Sequence, residues 1–287
     1  MQIPYELALG WRYTRAGRAS RRNGFISFIS GVSMLGIALG VAALIIVLSV
    51  MNGFQKEVRE RMLSVVSHIE VLAPGGAALV DLPAALQQLR SHPQVVGAAP
   101  FVAAQALLAR GETMKGVVLR GIDPALEGEV TDLAAAHPEV LAQLQPGAFR
   151  VVLGLELARQ LGVRVGDVVT LVAPSGQVTP AGVLPRLKQM TVAGLFHSGH
   201  YEYDAALALM HVEDAQRLLR LEGPTGVRLK LHDLHQAPAV ARELAHTLTE
   251  HLVLRDWTQQ NKTWFAAVQL EKRMMFIILT LIVAVAA

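Results

Sequence analysis

FISFISGVSMLGIALGVAALIIVLSV, residues Phe25 to Val50, is the stretch that decides the fold class of this chain. It lies in a segment from Gly24 to Gln55 that carries no charged side chain. A helix needs roughly 20 apolar residues to cross a bilayer, so the segment is long enough to span one. The apolar region of a cleaved signal peptide is only about 7–15 residues long. The pattern therefore predicts a retained transmembrane helix over residues 24–53.

The composition is that of a membrane-anchored protein with a large polar domain. Of the 287 residues, 52% are hydrophobic and 17% are charged, and the mean hydropathy is +0.39. The chain has no cysteine, which excludes disulfides, thiolate metal sites and a cysteine nucleophile. A second apolar run, MMFIILTLIVAVAA, covers about two thirds of a bilayer core. We therefore expect residues 273–287 to begin a second transmembrane helix, cut short in a fragment of a longer protein.

Basic residues predict the orientation of the first span. Residues 1–23 contain one acid, Glu6, against five arginines, whereas the basic residues after the span are interleaved with glutamates. The positive-inside rule makes residues 1–23 a cytoplasmic, basic, amphipathic segment. Residues 54–272 carry slightly more acidic than basic side chains, so the isoelectric point near 9.4 comes from this tail. The charge pattern does not indicate nucleic-acid binding.

The region between the two apolar runs, residues 54–272, is long enough to form its own core. Helical spacing of apolar residues after Phe54 predicts that the first helix continues outward as a stalk. A strand–helix–strand pattern occurs near each end of the region, in HIEVLAP–LPAALQQLRSH–QVVGAAPFV and in VRLKLHD–APAVARELAHTLTEHL–LVLRD. The sequence therefore predicts an α+β lobe made from residues 54–113 and 222–272, with a second lobe, 114–221, inserted between them.

One long connection interrupts two strands that are expected to pair. PSGQVTPAGVLPRLKQ, Pro174 to Gln189, is much longer than the two to five residues of an ordinary hairpin turn. Prolines stiffen it, and Val178, Val183 and Leu184 place apolar side chains where solvent is expected. The loop is either a projecting interaction arm or an ordinary surface loop folded against its own lobe.

Several motifs in order resemble the LolC/LolE-type subunits of the lipoprotein-releasing ABC transporter. These are LSVMNGF (48–54), VVLGLELARQLGVRVGD (151–167), the proline-bounded loop, FHSGHYEYD (196–204) and WTQQNKTWFAAVQLEKRMMFIILTLIVAVA (257–286). The similarity covers essentially the whole chain. It implies the periplasmic domain of a mechanotransmitting, MacB-like ABC transporter, with a porter-like lobe and an inserted lobe tethered by transmembrane helices in the bacterial inner membrane.

The resemblance also implies a function and partners. Such a subunit extracts outer-membrane lipoproteins from the inner membrane and passes them to the periplasmic chaperone LolA. The implied partners are a LolD-like ATPase subunit, a second LolC/LolE-like membrane subunit, LolA, the lipoprotein substrate and membrane lipid. LolE-like subunits lack the chaperone-binding hook, so the loop favours a LolC-like or hybrid LolF-like subunit.

The implied site residues lie in the loop and in the first membrane helix. The hook corresponds to Pro174, Val178, Pro180, Val183, Leu184 and Pro185, and the basic pad beside it to Arg186 and Lys188. Leu187 and Thr170 depart from the family pattern, which has polar or basic pad residues there. Met34, Ile37, Leu44 and Val47 are candidates for the lipoprotein cavity, although they are equally compatible with lipid contact. Gly36 and Gly40 form a GxxxG pair that permits close helix packing.

The chain is not expected to be an enzyme. GxxxxGK[ST] does not occur in it, so ATP and magnesium are expected in a separate ATPase subunit, and no cofactor is expected here. No catalytic motif is present, and His197, His200, Glu202 and Asp204 lack the helical HExxH spacing of a metal site. Their alternation instead predicts a polar strand edge or a lobe interface. Two alternative functions remain: a MacB/FtsX-like permease for efflux or cell-division signalling, and a membrane-tethered periplasmic sensor.

Overall fold

A computed structural model describes residues 5, 21–63, 67–179, 182–248, 252–260 and 262–286. Most of the predicted cytoplasmic segment therefore lies outside the described residues. The chain divides into two compact units, Met1–Glu57 with Thr263–Ala287, and Val58–Lys262.

Helices and strands are mixed along the described chain. The helices are α1 (Arg21–Leu63), α2 (Leu82–Arg90), α3 (Pro124–Glu127), α4 (Asp132–Ala136), α5 (Pro138–Leu141), α6 (Leu155–Leu161), α7 (Tyr201–Ala206), α8 (Val212–Leu219), α9 (Ala237–Thr247), α10 (Trp257–Gln260) and α11 (Lys262–Ala286). The strands are β1 (Ile69–Leu72), β2 (Val95–Arg110), β3 (Thr113–Ile122), β4 (Arg150–Gly154), β5 (Val168–Thr179), β6 (Gly182–Phe196), β7 (Leu207–His211), β8 (Gly226–Leu231) and β9 (Val253–Asp256).

The smaller unit contains the apolar helices. Among the described residues, the segment Phe28–Gly53 of α1 is the one stretch long and apolar enough to cross a membrane. Helix α1 continues to Leu63, as the apolar spacing predicts. Helix α11 covers the described part of the second apolar run, for which a membrane span remains a prediction.

Both strand–helix–strand units predicted near the ends of the domain are present. They are β1–α2–β2 and β8–α9–β9, and their strands pair in the order β2-β8-β1-β9. Asp81 begins α2 by accepting a hydrogen bond from the Ala84 amide at 3.1 Å, and a proline occupies its first turn. Helix α9 buries Ala237, Val240, Ala241 and Leu244. This is the split βαβ arrangement expected for a porter-like lobe.

Six strands close into a ring of pairings. The order is β3-β7-β4-β6-β5-β2, and β2 pairs again with β3. A closed ring leaves none of these six strands as a free edge of the sheet. Strand β2 belongs to both strand groups: Val95–Phe101 pairs with β8, and Phe101–Arg110 pairs with β3. The change of partner therefore falls at Phe101, before the lobe limit predicted at residue 113.

Apolar side chains cover both faces of the ring. Val151 and Leu153 of β4 pack with Leu157 of α6 and Ala215 of α8 in one cluster. Val152 faces the other way and joins a second cluster, with Leu133 and Ala134 of α4 and Leu141 of α5. Because helices cover β4 on both sides, the strand is a continuous apolar run rather than an alternating one.

Two local expectations were wrong. The polar strand edge predicted around His200–Asp204 is helix α7, because Asp204 folds back on Ser198 and accepts hydrogen bonds from its amide and hydroxyl, both at 2.7 Å. The 16-residue loop predicted from Pro174 to Gln189 is mostly strand, belonging to β5 and β6. A register shift between Ala173 and Gln177 accommodates Pro174, which has no amide hydrogen to donate to the ladder.

Candidate functional site

Strands β5 and β6 continue beyond the ring as a hairpin, which we call the outer hairpin and define as residues 174–185. Gln177 pairs with Leu184, Val178 with Val183 and Thr179 with Gly182. The described pairing of β2 with β5 ends at Val172, and that of β4 with β6 begins only at Thr191. Within the described residues, the outer strands therefore pair only with each other.

The structure describes the outer hairpin as backbone over most of its length. Pro180 and Ala181, at the turn, lie outside the described residues, and so do the side chains of residues 174–184. Of the predicted hook residues, Pro185 is described in full and is exposed. The backbone positions of Pro174, Val178, Val183 and Leu184 all lie in the paired strands.

An apolar groove of about 630 Å³ begins at the base of the outer hairpin. Its lining includes Pro185, Val172, Leu107 and Val118, which come from β6, β5, β2 and β3. Leu187 pairs with Val172, and Val172 pairs with Leu107, so these three side chains share one face of the sheet. Leu187 is 65% exposed, and the base of the hairpin therefore presents an apolar surface to solvent.

The two predicted pad cations lie on the opposite face from Leu187, because neighbouring residues of a strand alternate. Arg186 donates from Nη1 to the carbonyl oxygen of Leu218 at 3.2 Å, near the carboxyl end of α8, where a cation is favourable. The Lys188 ammonium lies 3.8 Å from the ring centroid of Phe149. Both cations therefore contact their own lobe. Thr170, paired with Gln189, shares the face of Leu187 instead.

The segment FHSGHYEYD runs from the end of β6 into α7. His197 Nδ1 lies 2.6 Å from Asp204 Oδ2, and the His200 and Tyr203 rings have centroids 5.3 Å apart. Asp204 is buried and already accepts two hydrogen bonds from Ser198. No group of three or more metal-ligating side chains forms within the described part of the chain. These contacts indicate a structural role for the polar residues of the motif.

The predicted membrane residues are accessible in the smaller unit. Met34, Ile37 and Val47 are exposed, and Leu44 is half-buried. A methyl group added at Gly36 or Gly40 would meet nothing within 4 Å, so no described element packs against these glycines. A cavity of about 190 Å³ between α1 and α11 is lined instead by Leu48, Met51, Asn52, Glu271, Lys272, Met275 and Phe276.

The larger unit contains a buried ionic cluster that was not predicted from the sequence. Arg228 of β8 is 1% exposed and forms an ion pair with Glu127 of α3. Burial raises the pKa of Glu127, and the neighbouring arginines oppose this shift. Burial, with a smaller contribution from Arg228, lowers the pKa of Arg120 to about 10, so its guanidinium stays charged at neutral pH. The available signal was Arg228 itself, a charge inside the apolar strand GVRLKL.

The comparisons with known proteins agree with this architecture. The family model of the MacB-like periplasmic core domain matches residues 30–247, which confirms the predicted fold class. The periplasmic region of MacB from Actinobacillus actinomycetemcomitans is similar in structure over 70% of this chain and 94% of that one, with a TM-score of 0.42 and 10% identity.

Three curated relatives cover nearly the whole chain. The lipoprotein-releasing system transmembrane protein LolC of Neisseria meningitidis serogroup B is 49% identical over 98% of this chain and 68% of its own length. LolC of Xylella fastidiosa (strain 9a5c) is 46% identical over 99% of this chain and 68% of its own length. The LolE protein of Haemophilus influenzae is 30% identical over 100% of this chain and 68% of its own length.

Proposed function

The chain belongs to the LolC/LolE family of lipoprotein-releasing transmembrane proteins, and from this premise we propose that its outer hairpin delivers released lipoproteins to the periplasmic chaperone LolA. The chain is a membrane subunit of a lipoprotein-releasing system, and its large domain is of the MacB-like periplasmic type. The delivery step and the partners named below are the proposal.

The observation that carries the proposal is the pairing pattern of the outer hairpin. Its two strands satisfy each other's backbone groups, so the hairpin can leave the ring without unpaired amides and carbonyls between its strands. The prolines at 174, 180 and 185 restrict its backbone, which lowers the conformational entropy lost on binding. A stiff arm with an apolar base suits the capture of a soluble partner.

The contacts at the base of the hairpin support a different role for the predicted pad residues. Arg186 and Lys188 hold the base of β6 against α8 and Phe149. We propose that they anchor the arm, while Leu187 and Pro185 contribute apolar contact area beside it. The docking surface at the base is then more apolar than the family pattern implies. A proline-bounded hairpin in this position supports a LolC-like or hybrid subunit.

Energy for extraction has to come from a partner. Removing an acyl chain from a bilayer costs about 0.8 kcal/mol per methylene group, and the chain carries no P-loop motif. We propose that a LolD-like subunit binds ATP and magnesium, and that a second LolC/LolE-like subunit completes the membrane cavity. The amino terminus would then be cytoplasmic and the large domain periplasmic, at the inner membrane.

Helix α1 offers a surface for that second subunit. Gly36 and Gly40 are open to a close-packing helix, and Met34, Ile37, Leu44 and Val47 are available to line a cavity for acyl chains.

A transfer assay tests the proposal. The complete complex is reconstituted in proteoliposomes with a lipoprotein, ATP and LolA, using wild type and a variant in which residues 174–185 are replaced by Asn-Gly. Ala173 and Arg186 are opposite each other, so a two-residue turn can close the ladder there. We expect ATP hydrolysis to persist and lipoprotein transfer to LolA to fall by at least about tenfold, equivalent to about 1.4 kcal/mol.

The control changes the tip of the other long hairpin. Glu112 lies between β2 and β3, and Glu112→Lys should leave transfer unchanged. Transfer by the Asn-Gly variant at the wild-type rate would refute the proposed role of the outer hairpin.

A further inference from the structure

The buried ionic cluster lies where the inserted segments meet the sheet of the porter-like lobe. Arg228 of β8 pairs in register with Glu70 of β1, and its Nε lies 4.0 Å from Glu70 Oε1. The same guanidinium forms an ion pair with Glu127 of α3, and Arg120 of β3, which is half-buried as a residue, lies beside them. Two arginines and two glutamates therefore balance in charge.

Two polar atoms of this cluster have no hydrogen-bond partner among the described residues. They are Nε of Arg120, which can only donate, and Oε2 of Glu127, which accepts when ionised. Both are fully buried, so neither can exchange its missing hydrogen bond with bulk solvent. Buried polar groups in folded proteins almost always have a protein or water partner.

Both residues line the same small cavity. Its volume is about 10 Å³, and Thr131 and Arg228 complete its polar lining. The apolar remainder of its lining comes from Leu133, Ala134, Leu141, Leu207 and Leu209. A volume of about 10–15 Å³ accommodates one water molecule, which needs two to four polar partners. Phosphate, a sugar or a hydrated cation is too large for this space.

We propose that the cavity binds a single ordered water molecule, which accepts a hydrogen bond from Arg120 Nε and donates one to Glu127 Oε2. The hydroxyl of Thr131 already donates toward Glu127 Oε1 at 3.3 Å, and its oxygen can accept the second hydrogen of the water. The water then satisfies both isolated atoms at once and links β3 of the ring to α3. Through Glu127 it also connects to Arg228 in the porter-like sheet.

This site is independent of the outer hairpin and of the proposed transfer function. With the water bound, the lobes are joined by a closed polar network in which every member has a partner. Such a network favours one fixed arrangement of α3 on the sheet.

A crystal structure of the whole chain at about 1.8 Å resolution or better tests the proposal. We expect one density peak at about 2.7–3.2 Å from both Arg120 Nε and Glu127 Oε2. A direct hydrogen bond between these two side chains, or a cavity without a peak, would overturn the proposal.

A substitution gives an independent measurement. Arg120→Lys keeps the positive charge and removes Nε–H, so the water should lose its donor, and the unfolding midpoint of the chain should fall by several degrees. Arg159→Lys is the matched control, because the Arg159 side chain is exposed and its Nη1 lies 3.6 Å from Glu156 Oε2. It should change the midpoint by about one degree at most. The same water peak and an unchanged midpoint in Arg120→Lys would show that Arg120 is not the donor.

Discussion

At the residue scale, Arg228 and Glu127 show how the larger unit tolerates charge in its interior. Removing two ions from water is unfavourable, and their attraction offsets this cost only when both remain in place. Thr131 donates to Glu127 Oε1, and the Phe101 ring lies 6.0 Å from the Arg228 guanidinium carbon. The pair therefore depends on neighbours from several elements.

Breaking this pair should be far more costly than breaking an exposed one. Glu127→Ala leaves Arg228 buried without its main counter-charge, and we expect unfolding free energy to fall by about 3–5 kcal/mol. Asp132→Asn removes a surface pair with Lys230 in which the Asp132 side chain is 65% exposed, and should cost less than about 1 kcal/mol. Urea unfolding followed by circular dichroism measures both. Equal losses would contradict the assigned burial of the Arg228–Glu127 pair.

His68 should make the stability of the domain sensitive to mild acid. Its Nδ1 accepts a hydrogen bond from the Leu231 amide at 3.0 Å, which requires that nitrogen to be unprotonated. Burial, and then Lys230, lower the pKa of His68, while Asp132 and Asp233 oppose the shift. Below about pH 6.5 the unfolded chain binds this proton more readily than the folded chain. Stability should therefore decrease as the pH falls through that value.

The measurement compares unfolding midpoints at pH 7.5 and pH 5.5. His68→Asn retains a side-chain acceptor that does not titrate, and it should show a smaller loss than wild type over this interval. His246→Asn, at an exposed histidine, should lose as much as wild type. A His68→Asn variant as acid-sensitive as wild type would exclude His68 as a source of the effect.

At the scale of the elements, the approach of β4 to α7 depends on Gly154. A Cβ at this position would lie 2.2 Å from the backbone oxygen of Asp204. We expect Gly154→Ala to destabilise the chain by about 3 kcal/mol or more, since the obstructing atom is backbone. Gly128→Ala is the matched control, because its added methyl meets nothing within 4 Å. Similar thermal unfolding of the two variants would contradict the close packing of β4 and α7.

Helices and strands whose apolar residues recur at regular spacing could be predicted from the sequence. Features that depend on contacts between distant residues could not. The helices α2 and α9 follow from apolar spacing, with a capping aspartate at the start of α2, and the strands beside them follow from short apolar runs. The change of partner along β2 depends on β8, which is far along the chain and which the residues of β2 do not reveal. Prolines hid the strands of the outer hairpin, because they interrupt the regular alternation that identifies a strand.

The sequence indicates where the hairpin of the candidate site lies in the chain. It does not indicate which residues its side chains contact. Its location between paired strands followed from the length and prolines of one connection. The contacts of Arg186 and Lys188 depend on Leu218 and Phe149, which are remote in sequence, so no local pattern could indicate them. Arg228 alone signals a charge inside an apolar strand, but its partner Glu127 is also remote in sequence, so the ionic cluster could not be assembled from the sequence.

For the whole molecule, the proposed function requires the basic tail, residues 1–23, to be cytoplasmic and residues 67–248 to be periplasmic. The chain has no cysteine, so a single introduced cysteine gives an unambiguous label. Val80→Cys, at a residue 91% exposed in the larger unit, should react with a membrane-impermeant maleimide in intact spheroplasts. Ser20→Cys, in the basic tail, should react only after the membrane is permeabilised. The reverse pattern would contradict the proposed orientation.

The most direct test of the central claim is photo-crosslinking from the outer hairpin in the reconstituted complex. A photoreactive amino acid is placed at Val178 in one variant and at Glu112 in a control variant, and each complex is irradiated with LolA. We expect a crosslinked product containing this chain and LolA from position 178 and none from position 112. No product from position 178, with transfer of lipoprotein to LolA still intact, would contradict the claim that this hairpin receives the chaperone.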